Sequence, residues 1–581
     1  MTEIHAFDPD GTPSPGAQIA LDGAVAAIPE ATTSAAGLMS PADQVRLAAP
    51  GIYAADYGAT GDGVTDDSAA LTAACAAAEG KVLHLTAGAT YAIRSKVVLS
   101  DGITVEGHGA TLVKPHDSTD NLALAKASNG TGYGAGGRNI TIRDLSIVGN
   151  YFAPSGYGDC TSWFHHVSGL TIERCHFSQG VINGHYLDLG GCENVTVRDS
   201  VFEGANPIPG REYVEAIQVD SSTYAGSSDK GEPASSYDGL PTRAVTVSRC
   251  EFRTISIGGT EYPMPSPFGN HGNVLTTDDG YYADLAFVDN LVRGWTRETQ
   301  HSYAGWLVFS GVRGGIIARN RFVYTGPPNA NSRGVISLRR ATEAIPRDQV
   351  AVASPTQEST DRPCVNVSVT GNTFTGFESY WTGASGDSWG FIDLRGGGNP
   401  AGIDFTGNRI AACNGTAIRV AGGNAAPVIV ASNSISARLG VRAVSTRVIV
   451  QGNSLTGAQS PTVAIHTSGV NAPIQCASNM VGWFPEGIVV ESADNGLVQG
   501  NFVDYYTVAG VRVGSAAGPT AFDVTVSGNR MRAPERTGST VALHIAATSV
   551  RAMRFGNRLR EGGSVVDEGA GTITAATDQT A

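Results

Sequence analysis

Two acidic stretches thirty residues apart carry side chains suited to sugar chemistry. GHYLDLGGCENV begins at Gly184 and REYVEAIQVD at Arg211. Each alternates apolar and polar residues with period two, as a strand with one buried face does. With Leu187 and Leu189 inward, Tyr186 and Asp188 face out. With Ile217 and Val219 inward, Gln218 and Asp220 face out, and His185 and Glu215 stand where the two strands begin. SWFHHVSG, from Ser162, adds Trp163 and His165 to the same outer row if Phe164 points in. Asp188, Glu215 and Asp220 are thus the candidate catalytic carboxyls. Cleaving a glycosidic bond needs two: a protonated one to assist the leaving oxygen and a second as nucleophile or base. Separations of about 5.5 Å favour retention and about 6.5–9.5 Å inversion. Crowding of like charges raises the pKa of one acid, which suits a proton donor. Trp163 and Tyr186 offer rings to stack on sugars. His165, His185, Gln218 and His271 of FGNHGN complete the expected lining.

A second group follows further along. Ser337 and Arg339 come from GVISLRR, and Asp393 and Arg395 from GFIDLRGG. Arg beside Asp is commonly a surface ion pair, but Arg339, Asp393 and Arg395 could also hold an acidic sugar. β-Elimination is then an alternative to hydrolysis, with an Arg or His271 as base and a carboxylate-bound Ca²⁺ acidifying the substrate. The chain has no CxxC pair or HExxH stretch, so no resident metal site and no cofactor are expected.

What positions these residues is a repeat. FDVTVSGNRM at 522–531 has near copies throughout: NVTVRDSVF at 194–202, NVSVTGNTF at 366–374, RVIVQGNSL at 447–455 and others. Aligned on the Asn, the series runs Leu145, Cys175, Ser200, Cys250, Asn290, Asn320, Asn372 and Asn408. It continues through Asn433, Asn453, Asn479, Asn501, Asn529 and Asn557, mostly 20 to 30 residues apart. A strand-plus-bend recurring at that period signals a solenoid. No 3.6-residue periodicity accompanies it, so the fold class is all-β, a right-handed parallel β-helix. At each bend Asn is expected to take the left-handed conformation, and successive Asn amides to stack into a ladder. Cys175 and Cys250 at the same position are expected as buried thiols. Long insertions at 204–243, 253–283, 326–364 and 376–400 place the groove on the earlier coils.

The chain divides into a linker segment 1–50, a capping helix with first strands 51–136, the β-helix 137–562 and a tail 563–581. Thr65 is the expected N-cap of a helix over Ser68–Ala78, with Asp66 and Asp67 at its positive end. A net charge of −14 over 581 residues argues against a nucleic-acid partner. No apolar run approaches the ~20 residues of a membrane span. The start, MTEIHAFDPDGTPSPG, shows no secretory signal, so folding in a cytoplasm is expected.

DYGATGDGVTDDSAAL at 56–71, the strand VLHL and GITVEGHGATL at 102–112 resemble the pectate-lyase-like β-helix superfamily, which includes bacteriophage tailspikes. With the Asn series, the resemblance runs from Ile52 to Gly562. GHG at 107–109 lacks the clustered Asp residues and Arg-x-Lys of polygalacturonases and reads as a turn. ATTSAAGLMSPADQVRLA at 31–48 is similar to the linking motif of phage tail fibres, and LDLGGCENV and EAIQVD to polar coils of phage tail proteins. The resemblance implies a homotrimeric virion tail protein, joined to other tail proteins through its N-terminal segment and acting on a polysaccharide at the host surface. Glycoside hydrolysis is the first expectation. A non-catalytic adhesin and a lyase are the alternatives.

Overall fold

The computed structural model describes residues 51–580 apart from internal breaks, the longer being 150–160, 206–214, 297–304, 329–333, 382–388, 516–520 and 534–539. Tyr53–Ala581 forms one compact unit. The linker expected over 1–50, and His271, lie outside the described residues.

Each turn of the chain contributes three strands. One coil runs Glu193–Arg198, Val201–Glu203 and Glu215–Asp220 before returning at Arg243–Ser248. Every strand pairs in parallel with its counterpart one turn on, Val195 opposite Val245, Phe202 opposite Phe252 and Ile217 opposite Phe268. The chain is a parallel β-helix with three sheets, called here first, second and third after the strand order within a coil. Apolar side chains of one row superpose, so the core consists of columns of like residues. Phe177, Phe202 and Phe252 stack with centroids 4.8 and 5.0 Å apart.

The Asn positions form the expected ladder, buried at the bend between first and second strands. From Asn290 to Asn529, each Asn gives both its backbone N–H and its Nδ2 to the Oδ1 of the next. Asn433 does so to Asn453 at 2.9 Å each, and its Nδ2 also reaches the Phe405 carbonyl at 2.9 Å. Cys250 joins through its N–H, 2.8 Å from Asn290 Oδ1. Cys175 and Cys250 are buried, and burial pushes both thiols up to about 12.

One expectation needs correcting. The left-handed residue is not the Asn but the one before it. Glycine holds that place at 371, 407, 452, 500, 528 and 556, with φ between 63° and 66°. In the early coils it is charged, and the sign alternates: Asp144, Arg174, Asp199, Arg249, Asp289, Arg319. Stacking then pairs Asp144 with Arg174, Asp199 with Arg249 and Asp289 with Arg319, each at 2.7 Å. The Asn itself must keep an ordinary conformation so that its amide points along the stack.

The helix Ser68–Ala77 covers the first coil, burying Leu71, Ala74 and Cys75. Thr65 is not its cap. It lies in the strand Asp62–Asp66, where its hydroxyl donates to Asp62 Oδ2 at 2.7 Å. Asp66 Oδ1 instead accepts the Ser68 N–H at 3.1 Å, and Asp67 accepts from Thr60 and Gly61 at 2.6 and 3.0 Å. The Asp62 turn has already claimed Thr65.

Insertions interrupt coils at both ends of the third strand. Residues 254–265 precede it, with a hairpin pairing Ile255–Ile257 and Thr260–Tyr262. Residues 221–242 and 340–364 follow it, and Tyr224 N–H bonds the Val350 carbonyl at 2.8 Å. The third sheet is therefore the floor between two sets of loops.

Candidate functional site

The register of the third sheet settles which side chains are neighbours. Leu187 sits opposite Ile217 and Leu189 opposite Val219, all four fully buried in the core. Their alternation turns Trp163, Asp188 and Gln218 outward in one row, and His165, Gly190 and Asp220 in the next. Asp188 and Asp220 are one rung and two residues apart, a Cα separation of ~8 Å. Glu215 begins its strand, and the His185 Nδ1 lies 3.1 Å from the Glu215 carbonyl and 3.4 Å from its carboxylate. Gln218 Nε2 donates to Asp220 Oδ2. Asp188, Glu215, Gln218 and Asp220 are each no more than 3% exposed. Folding thus sets Asp188 and Asp220 on adjacent rungs, leaves Glu215 at the opposite end of the Asp220 strand, about 17 Å from Asp220, and withdraws all three from water.

Two aromatic expectations change. Tyr186 does not face out. Its ring packs among Phe177 and Phe202, and its hydroxyl lies 2.8 Å from the carbonyls of Glu203 and Gly204. The strict alternation fails where the chain bends into the strand, so Tyr186 and Leu187 both reach the core. Trp163 holds its place in the row but lies covered, against Leu122 and Ala125. A Cβ on Gly190 would come within 2.5 Å of the indole, so glycine is what lets the ring lie across that rung.

His165 is also covered, within a buried polar cluster that the spacing did not disclose. Its Nε2 lies 2.7 Å from Ser222 Oγ, and its Nδ1 bonds Glu232. Glu232 also accepts from Trp163 Nε1 at 2.8 Å. His166 stacks on His165 at 4.1 Å, and its Nε2 meets Asp238 at 2.9 Å. Ser222, Glu232 and Asp238 all belong to the 221–242 insertion, which is clasped to the wall through the two histidines. Burial holds His165 below its ordinary value, against the opposing pull of Glu232. Burial would raise the Asp238 carboxyl, but its bonds to His166 and to the Leu240 and Gly132 amides outweigh that and hold it low. The insertion lies outside the repeat, so only the acids in GEPASSYDG opposite FHH hinted at it.

The second group continues the same rows. Ser337, Asp393, Arg419 and Arg442 superpose, as do Arg339 and Arg395. Arg339 Nε donates to Ser337 Oγ at 2.9 Å. Asp393 is fully buried between Arg395 at 2.6 Å and Arg419 at 3.1 Å. Burial pushes its carboxyl up against the pull of both guanidiniums. Arg395 also lies over the Trp389 ring. Arg419 was legible in AIRVAGG by extending the row one coil. Among the described residues, no group of three or more His, Cys, Asp or Glu could hold a metal ion. No helix there is long and apolar enough to cross a membrane.

Residues 52–204 match the family model for rhamnogalacturonase A/epimerase, pectate lyase-like. Over those residues, which hold the capping helix and the first coils, the chain is similar to that family. Mannuronan C5-epimerase AlgE4 of Azotobacter vinelandii is 32% identical over 167 residues, 25% of this chain and 29% of that protein. The chain thus covers under a third of that curated relative. Among solved structures, a mutant tailspike protein of E. coli bacteriophage HK620 in complex with a pentasaccharide aligns over 94% of this chain and 83% of its own, at 10% identity and TM-score 0.42. PfbA, a surface adhesin of Streptococcus pneumoniae, aligns over 90% and 94%, at 14% identity and TM-score 0.40.

Proposed function

We propose that this protein binds a bacterial surface polysaccharide along its third sheet and cleaves it by glycoside hydrolysis, as a phage tailspike. The observation that carries the reading is the burial of Asp188, Glu215 and Asp220 on two adjacent rungs of the third sheet. Removing carboxyls from water is costly, and a solenoid surface offers every alternative. One acid protonates the leaving oxygen as the glycosidic bond breaks. The other takes a proton from water, whose oxygen bonds to the anomeric carbon. Asp188 and Asp220 are the pair on adjacent rungs that this chemistry would use. The tail-fibre-like motif at 31–48 supports attachment to a virion and, by the same resemblance, a trimer.

A second reading is favoured by the epimerase relatives: abstraction of the C5 proton of a uronate, with Arg339, Arg395 or Arg419 neutralising its carboxylate. Incubation with purified host polysaccharide and analysis of the products separates the readings. Hydrolysis adds one water per break, elimination gives an ultraviolet-absorbing unsaturated end, and epimerisation changes stereochemistry at constant mass. An unaltered polymer that nevertheless binds would leave an adhesin.

A further inference from the structure

The first sheet changes character along the stack. Its outward positions form three rows, one at mid-strand, one at the strand end and one at the bend that follows. In the early coils the mid-strand row holds Thr141, Thr171, Thr196 and Thr246, and the strand-end row Arg143, Glu173 and Arg198. The bend row there is the alternating Asp and Arg series. Opposite charges adjoin, as Arg198 does Glu173 at 2.9 Å. Asp404 is the last charged residue on these rows among the described residues. From Val428 to Thr574 the mid-strand row holds Ile429, Ile449, Leu497, Met553 and Ile573, interrupted only by Gln475 and Thr525. The strand-end row from Ala431 to Phe555 contains only Ala, Gln, Ser and Phe, and the bend row beside it only Ser and Gly. Ile429 and Ile573 are 40% and 53% exposed.

These rows give seven, six and six outward positions, nineteen in all, with no charge among them. A soluble surface of ordinary composition would carry about five. The same coils keep their charge on the other two sheets, with Arg530 and Arg558 on the second and Arg442 and Arg512 on the third. Glycine is the least strained residue at such a bend, so the weight rests on the two strand rows. An uncharged face suits a second copy of this chain. Copies related by symmetry set a row against itself, where any charge would meet its like. A copy also repeats the ~4.8 Å spacing of the rungs, so its ridges fit between these along the whole face. The Asp523–Arg551 pair stands outside the face at the strand start, a charged rim to an uncharged centre. Seven rungs by four residues span ~34 Å by ~13 Å, about 450 Å² per copy before corrugation is counted, which brings two copies close to the ~1,000 Å² of a specific interface. We propose that copies of this chain associate through the first sheet of the coils from Val428 to Thr574. The contact is independent of the glycan chemistry on the third sheet, and it gives a place to the self-association that the tailspike resemblance implies.

The test joins light scattering of the full chain to thiol cross-linking. The unaltered protein should have a mass that is a multiple of the single-chain mass. The seven described cysteines are buried, so a Cys160→Ala background leaves an added surface thiol as the target. Gln475→Cys should then give an interchain product with a short bismaleimide, whereas Thr171→Cys, on the same row in the early coils, should give none. Adding Leu497→Lys sets a charge against its own copy and should cut the Gln475→Cys product at least about tenfold, with the melting temperature unchanged. Thr525→Lys takes its place if Leu497→Lys alters the melting temperature. A single-chain mass overturns the proposal. So does an assembly in which Gln475→Cys fails to cross-link, links no better than Thr171→Cys, or links as well with the lysine present. Each of these would assign the contact to another part of the chain.

Discussion

The ladder coils and the acidic wall bury polar groups in the same lattice by opposite means. In the ladder every rung presents the same amide, which is donor and acceptor at once, so each copy satisfies its neighbour without outside help. On the wall the rungs differ. Trp163, Asp188 and Gln218 superpose, and no two of them are complementary copies. Their surroundings include inserted chain: Glu232, Asp238 and Ser222 arrive on a loop to meet Trp163 and the two histidines. Repetition therefore marks structure, and a break in repetition covered by insertions marks the candidate for function.

The largest effect expected is at the wall. Asp188→Asn and Glu215→Gln should each cut oligosaccharide release by about 100-fold or more, with the circular-dichroism spectrum and melting temperature unchanged. Unchanged release would reduce the wall to architecture. The ladder should respond the other way. Asn433→Ala strips partners from Asn408, Asn453 and the Phe405 carbonyl. A loss of roughly 3 kcal/mol in denaturant unfolding is expected, with activity per folded molecule intact.

Acidification sharpens the comparison, because the ladder does not titrate and the clasp does. His165 is held below 6.5, so the unfolded chain binds that proton more tightly. Its contribution is complete above about pH 6.5 and is lost as pH falls below that value. Asp238 is held below 3.8, so its contribution is present above that value and is lost as pH falls through its lower folded value. Both weaken the 221–242 clasp toward acid. Protection factors in that insertion, corrected for the intrinsic exchange rate at each pH, should therefore fall between pH 7.5 and 5 while those of the ladder amides hold, and His165→Gln should remove the pH dependence. The smallest effect is at the alternating exposed pairs. Arg319→Ala, which unpairs Asp289, should leave the melting temperature within error, since exposed ion pairs contribute little.

The third-sheet register was readable because apolar alternation fixes which residues face the core, and Leu187 opposite Ile217 follows from it. The same logic misplaced Tyr186, since a bend allows two successive residues to turn inward. It also exposed Trp163 and His165 on paper, because nothing in the period tells which loop folds back over a row. The Asn was assigned the strained backbone because Asn tolerates it. The fold gives that strain to the preceding residue, leaving the amide free to aim at its neighbour.

The amino-acid order by itself determined the coil, its ladder and the placing of Asp188 and Asp220 on adjacent rungs, because period-two burial and a recurrent bend admit few other arrangements. Only the tertiary structure decided that those acids are withdrawn from water and that an insertion is held by two histidines. Such facts depend on which nonrepeating segment meets which rung. That meeting is set by packing across tens of residues rather than by any local rule of spacing.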